Sequence, residues 1–237
     1  MQLKFNSDRV LAVVAHPDDA ELLCAGTLAR ARADGAAIAI CVMCRGDKGQ
    51  SNPPVENLED VRSAEMHAAA DVLGAELYQG GFGDGELFDG YEQRKVLIEI
   101  FRKFRPTLVL THSRKDYHPD HQQTSALAEA ASWFCASDGH RTESPAVEVG
   151  PPTLWWMDTI NMADFDPGFF IDVSDYVKVK EEMLNCHKSQ LTRGGDADFS
   201  PLVDIMKDQS KARGNQAGIK AAEAFQLHSA WKRSTAW

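Results

Sequence analysis

No run of about 18 apolar residues occurs anywhere in the chain of 237, so no segment reads as a bilayer-spanning helix. Positive charge is scarce as well. Lys and Arg number 25 against 35 Asp and Glu, for a formal net charge of −10. A general nucleic-acid binder needs basic surface to displace counterions, and docking on anionic lipid needs the same, so both classes are disfavoured. Met1 to Arg9 lacks the basic-then-apolar order of a secretory leader, and the apolar run Val10 to Ala15 is too short for one, so a cytoplasmic location is expected. Cysteine is sparse, odd in number and scattered (Cys24, Cys41, Cys44, Cys135, Cys186), which suits reduced thiols. Cys41-Val42-Met43-Cys44 is a CxxC in form only. On a strand its two thiols should point to opposite faces, and no second pair accompanies it. No G-x-G-x-x-G follows the first apolar run, which removes the dinucleotide-binding reading. Internal repeats, low-complexity segments and linkers are also missing. At about 100–200 residues per domain, residues 1–237 are expected to form a single domain.

What is present alternates. Val10 to Ala15 is continuously apolar, as a parallel strand buried on both faces requires. A helical pattern from Asp19 to Asp34 stops at Gly35, and a second strand runs from Ala36 to Met43. Further helices are expected over Leu58 to Leu73, Tyr91 to Phe104 and Asp120 to Ala136, with strands at Glu76 to Gln79 and Thr107 to Thr111. Arg45 to Glu56 and Gly80 to Gly90 read as loops, and the polar segment Ser137 to Pro152 as a mobile insertion. Strands near Thr153 to Met157 and Phe169 to Val173 precede helices near Asp175 to Leu191 and Leu202 to Gln216. The pattern predicts an α/β, Rossmann-like, doubly wound and mostly parallel sheet, with a ligand site at the carboxyl ends of the strands.

Two clusters of chemistry follow two of those strands. His16-Pro17-Asp18-Asp19-Ala20-Glu21 succeeds the first strand, and Asp116-Tyr117-His118-Pro119-Asp120-His121 succeeds the strand that ends at Thr111. In a 3-2-1-4 strand order these two strands are neighbours at the point where the order reverses, so both clusters should meet in one crevice. His16 and Asp19 stand three apart at a helix start and can face one target, while His121 can supply a third donor. Two imidazoles and a carboxylate with an open position compose a catalytic zinc site, or a facial triad for ferrous iron. Asp18 is then free to act on water, His118 to flank the metal, and Asp120 to hydrogen-bond a neighbouring imidazole. The bland alternative is that Asp18 or Asp19 merely caps the helix. His112 closes its strand at the crevice edge, and His187 is expected to be structural.

With these residues identified, the chain resembles the PIG-L/LmbE family of metal-dependent N-deacetylases. The resemblance rests on Ala15-His16-Pro17-Asp18-Asp19-Ala20-Glu21 after an apolar strand and on His118-Pro119-Asp120-His121. Arg62-Ser63-Ala64-Glu65, Gly83-Asp84-Gly85 and His187-Lys188-Ser189-Gln190 resemble further family segments. It implies His16, Asp19 and His121 as ligands of Zn2+ or another divalent metal such as Fe2+, Asp18 as general base, and His118 with Asp120 in catalysis. It further implies Arg62, Asp84 and Tyr117 on the substrate side, although Tyr117 stands immediately before His118 rather than two residues before it. The implied reaction is removal of an N-acetyl group from an N-acetylglucosamine-type sugar or conjugate. An amidase on a larger thiol- or glycoside-conjugate amide and, more distantly, an iron oxygenase use the same donor types. The terminal stretch Ala224 to Trp231, with Trp237, is rich in large apolar side chains and is expected to form an interface of a homo-oligomer. The resemblance implies a trimer or hexamer, with His228 approaching a neighbouring crevice.

Overall fold

The computed structural model describes residues 4–50, 53–147, 150–191 and 201–230. Within them the strands are β1 (Arg9–Val14), β2 (Ala37–Cys44), β3 (Glu76–Phe82), β4 (Leu108–Thr111), β5 (Thr153–Met157), β6 (Phe169–Asp172) and β7 (Ala222–Leu227). The helices are α1 (Asp19–Leu23), α2 (Ala25–Ala33), α3 (Leu58–Leu73), α4 (Tyr91–Phe104), α5 (Pro119–Phe134), α6 (Val177–Leu184), α7 (Lys188–Leu191) and α8 (Leu202–Ala217). They form one sheet of seven strands in the order β3-β2-β1-β4-β5-β7-β6. The first five strands run parallel, and β7 is antiparallel to both of its neighbours.

Val10 to Val14 are fully buried because side chains alternate between two cores. Val10, Ala12 and Val14 pack with Leu28, Met66, Met183 and Met206 from the α2, α3, α6 and α8 side. Leu11 and Val13 pack with Leu97, Phe101 and Leu127 of α4 and α5 on the other. The doubly wound expectation therefore holds, and its consequence for the site is direct. β1 and β4 are paired side by side, Val13 opposite Thr111, so the segments after both begin at the same sheet edge.

Several local expectations fail for tertiary reasons. The helix expected from Asp19 to Asp34 is broken at Cys24, whose φ is −146°. Glu223, reaching over from β7, accepts the backbone N–H groups of Gly26 and Thr27 at 2.9 and 2.7 Å and the Thr27 hydroxyl at 2.6 Å. Lys180 pairs with that carboxylate at 2.6 Å and donates to the Leu22 carbonyl of α1, so one buried ion pair serves both helix ends. The Asp175–Leu191 helix is likewise split, because the turn at Asn185 to His187 directs His187 inward to Glu21, with Nε2 3.2 Å from Oε1. Residues 135–144, after α5, are gathered around one side chain. Buried Arg102 donates to the carbonyls of Cys135, Ser137 and Ser144 and to the Thr142 hydroxyl.

The largest correction concerns the C-terminal stretch. Ala222–Leu227 is an internal strand, and Phe225 is fully buried between β5 and β6, where it packs on Trp155 and Phe169. Ala222 to Phe225 are thus buried on their own sheet, while Gln226 to His228 are half-buried and Ser229 is exposed. Trp231 and Trp237 lie outside the described residues.

Candidate active site

The carboxyl ends of β1, β2 and β4 border a cavity of about 460 Å³. Among the expected site residues, His16, Asp18, Asp19, Arg62, Asp84, Tyr117, His118, Asp120 and His121 all line it. His228 does not. Its Nδ1 lies 3.4 Å from Glu129 of α5 and its ring packs on Trp156, so it is held within its own chain.

The turn after β1 explains the spacing of the first cluster. Asp18 adopts a left-handed conformation with φ 99°, a strained choice for a residue with a side chain. The twist separates neighbouring carboxylates. Asp19 turns toward the histidines, while Asp18 turns toward α3 and meets Arg62 at 3.0 Å. The first N–H groups of the turn are drawn in as well, His16 donating its backbone N–H to Asp19 Oδ2 at 2.7 Å. Asp18 makes no side-chain cap hydrogen bond to α1, which removes the bland capping reading for it.

Asp19 is the hub of the second arrangement. Its Oδ2 lies 3.5 Å from His16 Nδ1 and 3.3 Å from His112 Nε2, and its Oδ1 lies 3.4 Å from His121 Nε2. The outlying nitrogens of His16 and His121 are then tied back. Asp120 Oδ2 sits 3.1 Å from His16 Nε2, and Asp116 Oδ1 sits 3.1 Å from His121 Nδ1. Gly85 of the glycine-rich loop fixes Asp120 by donating its N–H at 2.8 Å. Three sets of side chains bring one donor atom each to within 4.8 Å of one another: His16 with His118 and His121, His16 with Cys44 and Asp120, and Asp19 with His112 and His121. No single set contains His16, Asp19 and His121 together. Asp19 instead links the two histidines from between them.

The electrostatics follow from burial and these contacts. Burial pushes the Asp18 carboxyl up to about 6 even though the Arg62 guanidinium pulls the other way. Asp19 is held well below the usual carboxylate range because His121 and His112 outweigh its burial. Burial disfavours a charged His121, yet Asp19 and Asp116 raise it to about 9. His112, buried and beside His121, falls to about 4. Burial, with His121 and His16 close by, lowers His118. His118 also accepts the Asp120 backbone N–H at Nδ1, 3.2 Å away, and so caps α5. A neutral ring with its proton on Nε2 satisfies both facts.

Arg62 and Asp84 are less free than expected for groups on the substrate side. Arg62 is buried and also donates to the Pro17 carbonyl at 2.5 Å. Asp84 accepts the backbone N–H groups of Gly46 and Lys48 at 2.8 and 3.2 Å, fastening the loop after β2. Tyr117 is 61% exposed, with its ring 6.0 Å from that of His118.

A family model described as PIG-L, GlcNAc-PI de-N-acetylase, matches residues 11–132, just over half of the chain. The chain belongs to the PIG-L family. The diacetylchitobiose deacetylase of Thermococcus kodakarensis is 27% identical to this PIG-L chain over 188 residues, spanning 77% of this chain and 70% of its own. A 4-oxalmesaconate hydratase of Pseudomonas putida is 25% identical over 188 residues, spanning 76% of this chain and 73% of its own. The crystal structure of the conserved protein TT1542 of Thermus thermophilus superposes with a TM-score of 0.79 at 31% identity, covering 96% of this chain and all of that one.

Sequence reasoning missed two residues that pack against this PIG-L site without lining its cavity. Asp116 had no signal beyond its place two residues before His118, and its role against His121 depends on how the loop after β4 folds. Cys44 read as a strand thiol facing away from chemistry. A register shift between Val42 and Cys44 in the pairing with β3 places Cys41 and Cys44 in the same core and brings Cys44 beside His16.

Proposed function

We propose that this PIG-L protein is a metal-dependent hydrolase that removes the N-acetyl group from an N-acetylglucosamine-type sugar or sugar conjugate. The observation that carries the reading is Asp18, a buried carboxyl raised to about 6, in the cavity wall beside the histidine cluster yet in none of the three donor sets. The donors fit a divalent ion. His121 and His16 each have one ring nitrogen against a carboxylate and the other toward Asp19, and two nitrogens with one oxygen suit zinc or ferrous iron. His16, Asp19 and His121 would hold it, with Asp120 and Asp116 orienting the imidazoles. Such an ion supplies Lewis acidity and acidifies water to a pKa of about 7.

The remaining steps belong to the chain's own residues. Asp18 takes the proton of the attacking water on the oxygen not engaged by Arg62, then delivers it to the leaving amine. His118 donates a hydrogen bond from its Nε2–H to the carbonyl oxygen as negative charge develops there and keeps its proton, a contribution of about 3–4 kcal/mol for one well-placed donor. Acetate and a free amine leave.

The hydratase relative raises a second reading, and charge in the cavity argues against it. An oxalmesaconate is a polyanion. Both Lys and Arg side chains among the described lining residues are already paired, Arg62 with Asp18 at 3.0 Å and Lys48 with Glu86 at 2.5 Å. Asp18, Asp19, Asp84 and Asp120 line the same wall. A neutral polyol bearing an acetamide fits that field better. The proposal also includes the cytoplasm, supported by five cysteines of which none is in a disulfide, and a homo-oligomer, supported by Phe88 and Tyr91 at 62% and 65% exposure. Acetate release from N-acetylglucosamine and diacetylchitobiose, run beside hydration of an unsaturated polycarboxylate, tests the assignment. Release of acetate is expected. Hydration without acetate, or equal turnover of a simple alkyl acetamide, overturns it.

A further inference from the structure

One donor set beside the cavity includes a side chain, Cys44, with no part in the reaction described above. Cys44 is the last residue of β2 and almost fully buried. Its backbone N–H donates to Ala15 at 2.8 Å, which ties it to the residue just before His16. With the register shift in the β2–β3 pairing, its thiol lies within 4.8 Å of the His16 imidazole. Asp120 closes the group from α5, its Oδ2 3.1 Å from His16 Nε2. One nitrogen, one sulfur and one oxygen thus stand within 4.8 Å of one another, each on a different segment of backbone. Zinc bonds of about 2.0–2.3 Å put tetrahedral donors roughly 3.3–3.6 Å apart, so side-chain rotation of about an ångström closes the set around an ion.

We propose that His16, Cys44 and Asp120 form a second metal subsite, selective for thiophilic divalent cations, that silences the centre by drawing His16 and Asp120 out of their mutual hydrogen bond. The chemistry differs from that of the catalytic donors. Two nitrogens and a carboxylate accept many divalent ions, whereas a thiolate favours zinc and still more cadmium over iron or magnesium. On binding, the Cys44 thiol loses its proton to solvent and a sulfur–metal bond forms, with no change of oxidation state. His16 belongs to both donor sets, and Asp120 is the carboxylate that orients it. A cation in the subsite binds the far nitrogen of a ligand of the first ion, and so disturbs that ligand without competing with substrate. This silencing rests on the hydrolase reading of His16, but cation binding itself does not.

The test is a titration of the zinc-loaded protein with Cd2+, followed by the ultraviolet thiolate-to-cadmium charge-transfer band and by counting bound metal after gel filtration. The wild type is expected to gain one equivalent with the band, and Cys44→Ser to gain neither. Cys186→Ser, which removes the partly exposed thiol, should behave as wild type. Asp120→Asn should weaken the second equivalent about tenfold or more. In parallel, excess Zn2+ should inhibit acetate release by the wild type, with Cys44→Ser retaining basal turnover and resisting inhibition by about tenfold. Equal cadmium uptake by wild type and Cys44→Ser overturns the subsite. Loss of the band in Cys186→Ser with its retention in Cys44→Ser overturns it too. A Cys44-dependent band in a protein that hydrolyses no acetamide supports the subsite while it removes the proposed function, so the two failures are distinguishable.

Discussion

Asp18 and Asp19 are adjacent carboxylates with opposite assignments, and the difference lies in what each faces. Asp19 is surrounded by three imidazoles within 3.5 Å and stays ionised. Asp18 faces one guanidinium from a buried position and holds its proton up to about pH 6. Asp18→Asn should therefore keep bound metal near wild-type occupancy and lose about 10²–10⁴ in turnover, measured by metal analysis beside an acetate assay. A metal-free variant would make Asp18 a ligand instead. The pH dependence has a definite sign. As the proposed base, Asp18 works only when deprotonated, so turnover should fall as pH drops through its pKa. A bound divalent cation pulls that pKa to or below about 6. Arg62 lowers it as well, so Arg62→Gln should move the acid limb of the pH–rate profile upward by about 1–3 units. An unmoved limb would mean that a different group controls it.

At the scale of elements, the buried pair Lys180–Glu223 holds together parts of the chain that the sequence alone keeps distant. Glu223 caps the start of α2, and Lys180 donates both to that carboxylate and to the end of α1. Glu223→Ala leaves an uncompensated cation in the interior and strips α2 of its cap. Removing one partner of a buried pair costs about 3–5 kcal/mol, a large share of the roughly 5–15 kcal/mol that holds a domain folded. Chemical denaturation should show a lower midpoint with an unchanged slope. A midpoint within error of wild type would mean that water reaches Lys180 and replaces the carboxylate. The same logic links α3 to α7. Glu65 accepts from the Ser189 backbone and hydroxyl at 2.8 and 2.7 Å, while Arg62, one turn earlier, holds Asp18. The Arg-x-x-Glu spacing thus clamps the site turn on one side and the late helix on the other.

For the whole molecule, the donors sit at the rim of a sheet whose core forms without them. β1, β2 and β4 are buried almost throughout by apolar contacts on both faces. Chelation should abolish activity while leaving the far-ultraviolet circular dichroism and a cooperative unfolding transition intact, with Tm falling only by the linkage of the lost ligand. Collapse of the spectrum on chelation would place the metal among the determinants of the fold.

Much of this was legible in the residues themselves. The buried β1 run, the alternation of strands and helices, the reversal of strand order between β1 and β4 and the meeting of the two histidine clusters all follow from short-range patterns and a topological rule. Both ends of α4 and the strand Thr153 to Met157 coincide with their expected bounds. The remainder depended on contacts distant in sequence. β7, Ala-Glu-Ala-Phe-Gln-Leu, has neither strict alternation nor a continuous apolar run, and it is a strand because β5 and β6 leave a slot for Phe225. The break at Cys24 exists because a carboxylate from that strand offers α2 a better start than a continuous helix would. The neutral state of His118, the tie between Asp116 and His121 and the turn of Cys44 toward His16 each depend on a loop or a bulge placing one donor within a few ångströms of another. Residue types and their periodicity determined which chemistry is available and at which edge of the sheet. Only tertiary structure decided how protons and charges are divided among those residues, because burial and separation vary over distances too short for sequence spacing to record.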